Sequence, residues 1–151
     1  MAKLPFGFEK PENSPGFLLW QATIVWQRMI KKALEPQGIS HAQFVIMALA
    51  LWLDEHQHDV TQALIMKYSK LDKMTVSAAL KKLAAGGLVE RAEHAMDTRA
   101  KTVALTARGR ALLSKLAPLV EGIDADFFNK IPAQSLALTM SMLKKLVVEG
   151  E

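Results

Sequence analysis

Four lysines and two short hydroxyl side chains crowd into one stretch of the chain: Lys70, Lys73, Thr75, Ser77, Lys81 and Lys82. Ammonium groups neutralise phosphates, and short hydroxyls near the start of a helix can reach base edges in a major groove. At 100° per residue, Val76, Ala79, Leu80 and Leu83 fall on one side of a helix. Met74, Ser77, Ala78 and Lys81 fall on the other, flanked by Lys73, Thr75 and Lys82. The apolar side must pack on a neighbour, which leaves the polar side outward. Such a face is either a solvated surface or a polyanion contact, and the helix alone does not choose between them.

Other chemistry is harder to build from these residues. Asp54, Glu55, His56, His58 and Asp59 form an acidic, His-containing run that could hold a divalent ion. Alternate positions on a loop do not give the i, i+4 spacing that puts two imidazoles on one helix face, so a solvated connector is the simpler reading. His41 and His94 stand singly. The chain has no cysteine, which excludes disulfides and thiolate metal sites. With one tyrosine, four dispersed histidines and no glycine-rich phosphate loop, no catalytic constellation or cofactor is expected.

The elements that must position the basic face can be read from caps and periodicity. Ser14 and Pro15 open a first helix that stops at the Pro36 to Gly38 stretch. Phe17, Leu18, Leu19, Trp20, Ile24, Val25 and Trp26 cover more than one stripe of it, so it is expected to pack on its own domain and on a partner. Ser40 caps a second apolar helix that the polar run from Asp54 is expected to end. Thr61 caps a short third helix with Ile65 and Met66 inward, and Asp72 caps a fourth that ends at Gly86 and Gly87. Two short helices joined by a turn of about four residues form a helix-turn-helix. Residues 88–91 and 101–105 are β-prone and enclose a polar tip, the pattern of a hairpin wing. A long helix follows from Thr106 to about Val120. A last helix, ending near Val148, carries a stripe of Leu136, Met140, Leu143 and Val147.

Charge follows the same division. Residues 61–110 hold ten Lys or Arg against four acids, while the rest of the chain holds nine against eleven, within a total of 19 bases and 15 acids. A basic middle between near-neutral flanks suits a polyanion-binding module set in a scaffold. The N-terminal segment has no apolar run of signal-peptide length, and the stretch from Phe44 to Leu53 is too short to span a bilayer, so a soluble cytoplasmic protein is expected.

The stretch LDKMTVSAALKKLAAGGLVERAEHAMDTRAKTVALTARG, residues 71–109, resembles the MarR family of winged-helix regulators, and the likeness extends over residues 14–148. The capped Thr-Val-Ser helix, the Leu-x-x-x-Gly-Leu-Val-x-Arg run into the wing, the Asp-x-Arg-Ala tip and the Leu-Thr-x-x-Gly exit stand in that family's order. The resemblance implies a mainly α fold with a small β-hairpin in one domain over residues 1–151. Residues 14–35 and 106–148 would be dimerisation helices, 40–54 a scaffold helix and 59–106 the winged helix-turn-helix.

It further implies double-stranded DNA as partner, a bacterial transcription regulator acting as a homodimer, and a major-groove role for Thr75 and Ser77. Arg99 would reach the minor groove from the wing tip, steadied by Asp97, with Lys101 of the wing also binding DNA and Arg91 buttressing the wing's base. Ala78 stands where many relatives carry Arg, so its methyl would meet a thymine methyl instead of a base hydrogen bond. Met66 and Lys70 replace residues usual in the third helix and the turn. Relatives that take small aromatic or anionic effectors hold them between the dimerisation and winged-helix parts, where Trp20, Trp26 and Met47 could serve either as lining or as core. A winged-helix module that contacts proteins and not DNA is the competing reading, and the basic tip is what separates the two.

Overall fold

Ser14 opens the first regular element as its spacing requires: its Oγ accepts from the Phe17 amide at 3.2 Å with Pro15 in the first helical position. In a computed structural model the helices are α1 (Pro15–Leu34), α2 (His41–His56), α3 (Gln62–Ser69), α4 (Lys73–Ala85), α5 (Ala107–Phe128) and α6 (Ala133–Glu149). The strands β1 (Val89–Glu93) and β2 (Lys101–Leu105) pair antiparallel, Val89 opposite Leu105 and Glu93 opposite Lys101. The structure describes residues 3–56, 59–93, 96 and 101–149. Asp97 and Arg99 of the expected wing tip, with His58 and His94, lie outside them.

Side-chain caps set most boundaries. Ser40 and Gln43 cap one another at the start of α2, Gln43 N donating to Ser40 Oγ at 3.1 Å and Ser40 N to Gln43 Oε1 at 2.9 Å. Thr61 Oγ1 accepts from Leu64 N, and Thr106 Oγ1 accepts from Gly109 N while donating to the Gly87 carbonyl at 2.6 Å. Gly38, with φ of 70°, turns the chain between α1 and α2.

Three elements differ from expectation in their bounds. The helix expected to end near Leu53 continues through Asp54, Glu55 and His56, where Asp54 meets Arg110 of α5 at 2.9 Å and the His56 ring stacks on Trp52 at 4.7 Å. The helix expected to end near Val120 runs on to Phe128, held by packing of α5 on α1 and by a 2.7 Å hydrogen bond from Trp26 Nε1 to Asp124 Oδ1. The first strand starts one residue late and ends two residues late, since Leu88 is buried in the core instead. The segment before α3 also adds to the sheet: Val103 N donates to the Val60 carbonyl, and Thr61 bridges Thr102.

One core joins these elements. Ile30 and Leu34 of α1, Ile46, Met47 and Leu53 of α2, Ile65 of α3 and Leu116 of α5 are wholly buried with Val76 and Leu80 of α4. Met66 is only half-buried. The outer ends are different, for Phe17, Leu18, Leu19 and Trp20 are exposed in sequence around α1, and no described side chain of α6 is buried. Among the described residues no helix is long and apolar enough to cross a membrane.

Candidate nucleic-acid interface

The core fixes which way α4 faces. Val76, Ala79, Leu80 and Leu83 are buried, as the periodicity predicts, so Lys73, Met74, Ala78 and Lys81 are exposed on the other side, with Ser77 half-buried among them. The start of the helix is tied down by Asp72. Its Oδ1 accepts from the Thr75 amide at 2.7 Å and its Oδ2 from the Thr75 hydroxyl at 2.9 Å. Those two bonds, the backbone one first, hold the Asp72 carboxyl below its ordinary range.

The expected site residues separate into three groups. Lys73 and Ser77 line a hollow of about 280 Å3 with Lys101 of β2 and Thr61, Gln62 and Met66 of the α3 region, which joins helix and wing on one face. Lys81 lies one turn beyond Ser77 on that face, and Lys70 stands in the turn before it, exposed and in the left-handed conformation at φ of 62°. Lys82 is on another flank: it lines a hollow of about 580 Å3 with Gln27, Lys31 and His41, toward α1 and α2. Arg91 is exposed on β1 opposite Val103, and lines the surface between α4 and the hairpin with Glu90 and Lys101.

The three residues weighed as an effector cleft do not share one. Trp20 is two-thirds exposed, Met47 is wholly buried, and Trp26 is half-buried with its ring edge on His41 at 4.9 Å. Burial lowers the His41 pKa, and the nearby Asp124 carboxylate partly offsets this. A groove of about 560 Å3 does lie between α2 and α5, lined by Phe44, Leu51, Trp52, Leu113 and Val120 with Glu55, Glu121 and Asp124 at its polar edges. Trp52 was legible only as one apolar residue of α2; the distant α5 makes it a groove wall. Among the described residues no three His, Asp or Glu are grouped to hold a metal, and Asp54, Glu55 and His56 belong to a helix and not to a loop.

Comparison with known proteins agrees with this geometry. The profile of the ArnR1-like winged-helix domain family matches residues 35–121. The chain is 38% identical over 121 residues to the HTH-type transcriptional regulator YdcH of Bacillus subtilis, covering 80% of this chain and 82% of that one. Its fold superimposes with a TM-score of 0.82 on Bordetella bronchiseptica BpsR, whose DNA binding is regulated by 6-hydroxynicotinic acid, at 24% identity over 93% of this chain and 97% of that one. It matches Escherichia coli MarR in complex with operator DNA with a TM-score of 0.77, at 24% identity over 87% and 91% of the two chains. A winged helix-turn-helix with an exposed basic recognition face, matched over most of its length by regulators of this type, places the chain in the MarR family of DNA-binding transcriptional regulators.

Proposed function

We propose that the protein binds an inverted-repeat operator in double-stranded DNA as a homodimer and represses transcription by occupying it. The observation that carries this reading is the convergence of Lys73 and Ser77 of α4 with Lys101 of β2 around one hollow, with Lys70 exposed in the turn before α4 and Lys81 exposed one turn beyond Ser77. The α4 helix enters the major groove, where Ser77 and the open side of Thr75 meet bases and the lysines meet phosphates. Arg99, steadied by Asp97, enters the minor groove from the wing, and Arg91 supports the wing's base. Two-fold symmetry sets the half-site centres about 10 base pairs apart.

A small aromatic effector controls release. The groove between α2 and α5 suits it, and its Glu55, Glu121 and Asp124 edges favour a neutral or cationic ring over an anion.

Selection of genomic fragments by the purified protein tests the reading; an enriched dyad-symmetric motif is expected. Two variants then separate the kinds of contact. Ser77→Ala should cost about 1–3 kcal/mol at particular operator positions. Arg99→Ala should weaken operator and random DNA alike and flatten the dependence of log K on log salt by about one unit per wing. Failure to enrich any fragment, with Arg99→Ala leaving affinity and salt slope unchanged, would leave a protein-contact module as the better reading.

A further inference from the structure

Met74 is 83% exposed, in the first turn of α4. It cannot turn inward, because Val76 two residues on points into the core and the helix carries Met74 about 200° away from it. Ala78 lies one turn further along the same face and is also exposed. The exposed apolar residues of α1 and α6 belong to helices with broad apolar faces. Met74 and Ala78, in contrast, sit among Lys73, Ser77 and Lys81. An apolar partner protein would have to bury those ammonium groups, whereas DNA meets them with phosphates. The one apolar group that bases offer on the major-groove floor is the thymine 5-methyl. An unbranched, flexible thioether can follow that surface as the helix seats.

We infer that Met74, with Ala78 behind it, forms an apolar edge that reads a thymine methyl in each half-site, so that Met74 is a specificity-determining residue. The inference rests on the proposed major-groove reading of α4. It adds a discrimination that neither the lysines nor the hydroxyls supply, since a methyl neither accepts nor donates a hydrogen bond.

The test uses the full chain and a duplex enriched by it from a random-sequence library. That duplex is synthesised again with deoxyuridine replacing each thymidine in turn, which removes only the methyl. One position per half-site should lose about four-fold in affinity, and about fifteen-fold when both half-sites are changed, the worth of one buried methyl each. Met74→Ala should bind the thymine and uracil forms of that position alike, while Met74→Leu keeps the preference. Both variants should melt as wild type does, because the side chain touches no core. Equal binding of thymine and uracil forms by wild type, or undiminished preference in Met74→Ala, would overturn the assignment while leaving the major-groove reading intact. Absence of any enriched sequence would overturn both.

Discussion

The Thr75 hydroxyl has one proton, and Asp72 takes it. What remains to Thr75 are lone pairs, so at a base edge it can only accept, which restricts it to the exocyclic amino groups of adenine and cytosine. The Asp72 bonds also hold the first turn of α4, so Asp72→Ala should lower thermal stability and operator affinity together, with Asp72→Asn milder. The sign with pH follows from the lowered carboxyl. Its stabilisation is complete above the ordinary value of 3.8 and is lost as pH falls below it, so melting curves of wild type and Asp72→Ala should converge in acid. His41 behaves in the same direction for a different reason. Burial favours its neutral form, so stability should fall as pH drops below 6.5, and His41→Gln should flatten the melting profile between pH 7.5 and 5.5. The Asp72 cap was legible in the sequence because the partners are three residues apart, and His41 was not, because its surroundings are Trp26 and Asp124 from two other helices.

Within the elements, α5 shows how one residue type takes opposite roles. Gly109 is buried where the helix starts against the chain leading into β1, and a Cβ there would run into the Leu88 carbonyl and crowd Leu105. Gly109→Ala should destabilise by at least about 1–3 kcal/mol, the usual cost of overpacking. Gly122, thirteen residues along the same helix, is exposed and would give a Cβ open space. Gly122→Ala should stabilise by about 0.5–1 kcal/mol through helix propensity. Denaturant unfolding of the two variants checks both signs. The starts of α1, α3, α4 and α5 were readable because each cap reaches only three residues. The ends of α2 and α5 were not, since Asp54 to Arg110 spans 56 positions and Trp26 to Asp124 spans 98. The former pair is about half exposed and contributes at most about 1 kcal/mol, so it marks where α2 can continue more than it drives it.

The whole molecule leaves apolar surface that a single chain does not cover. Leu138, Met142, Leu146 and Val147 of α6 are all more than half exposed, as are Leu19 and Trp20 of α1. Association of two copies through these helices should give a particle of about twice the 16.7 kDa chain mass at micromolar concentration. Leu146→Glu should shift it to monomer in sedimentation, and operator affinity should fall with it, because the second recognition helix is lost. A wild type that sediments as one chain would overturn this. By itself, the sequence determined the element types and the outward face of α4, since periodicity and capping are interactions within one helical turn. It also determined the basic middle of the chain, because charge counts need no geometry. Only the tertiary structure decided that Lys101 joins Lys73 and Ser77 while Lys82 turns toward α1, and that Met47 is core while Trp52 walls a groove. Those outcomes depend on how helices pack side by side, and residues far apart in the chain carry no local signal of which neighbour they will meet.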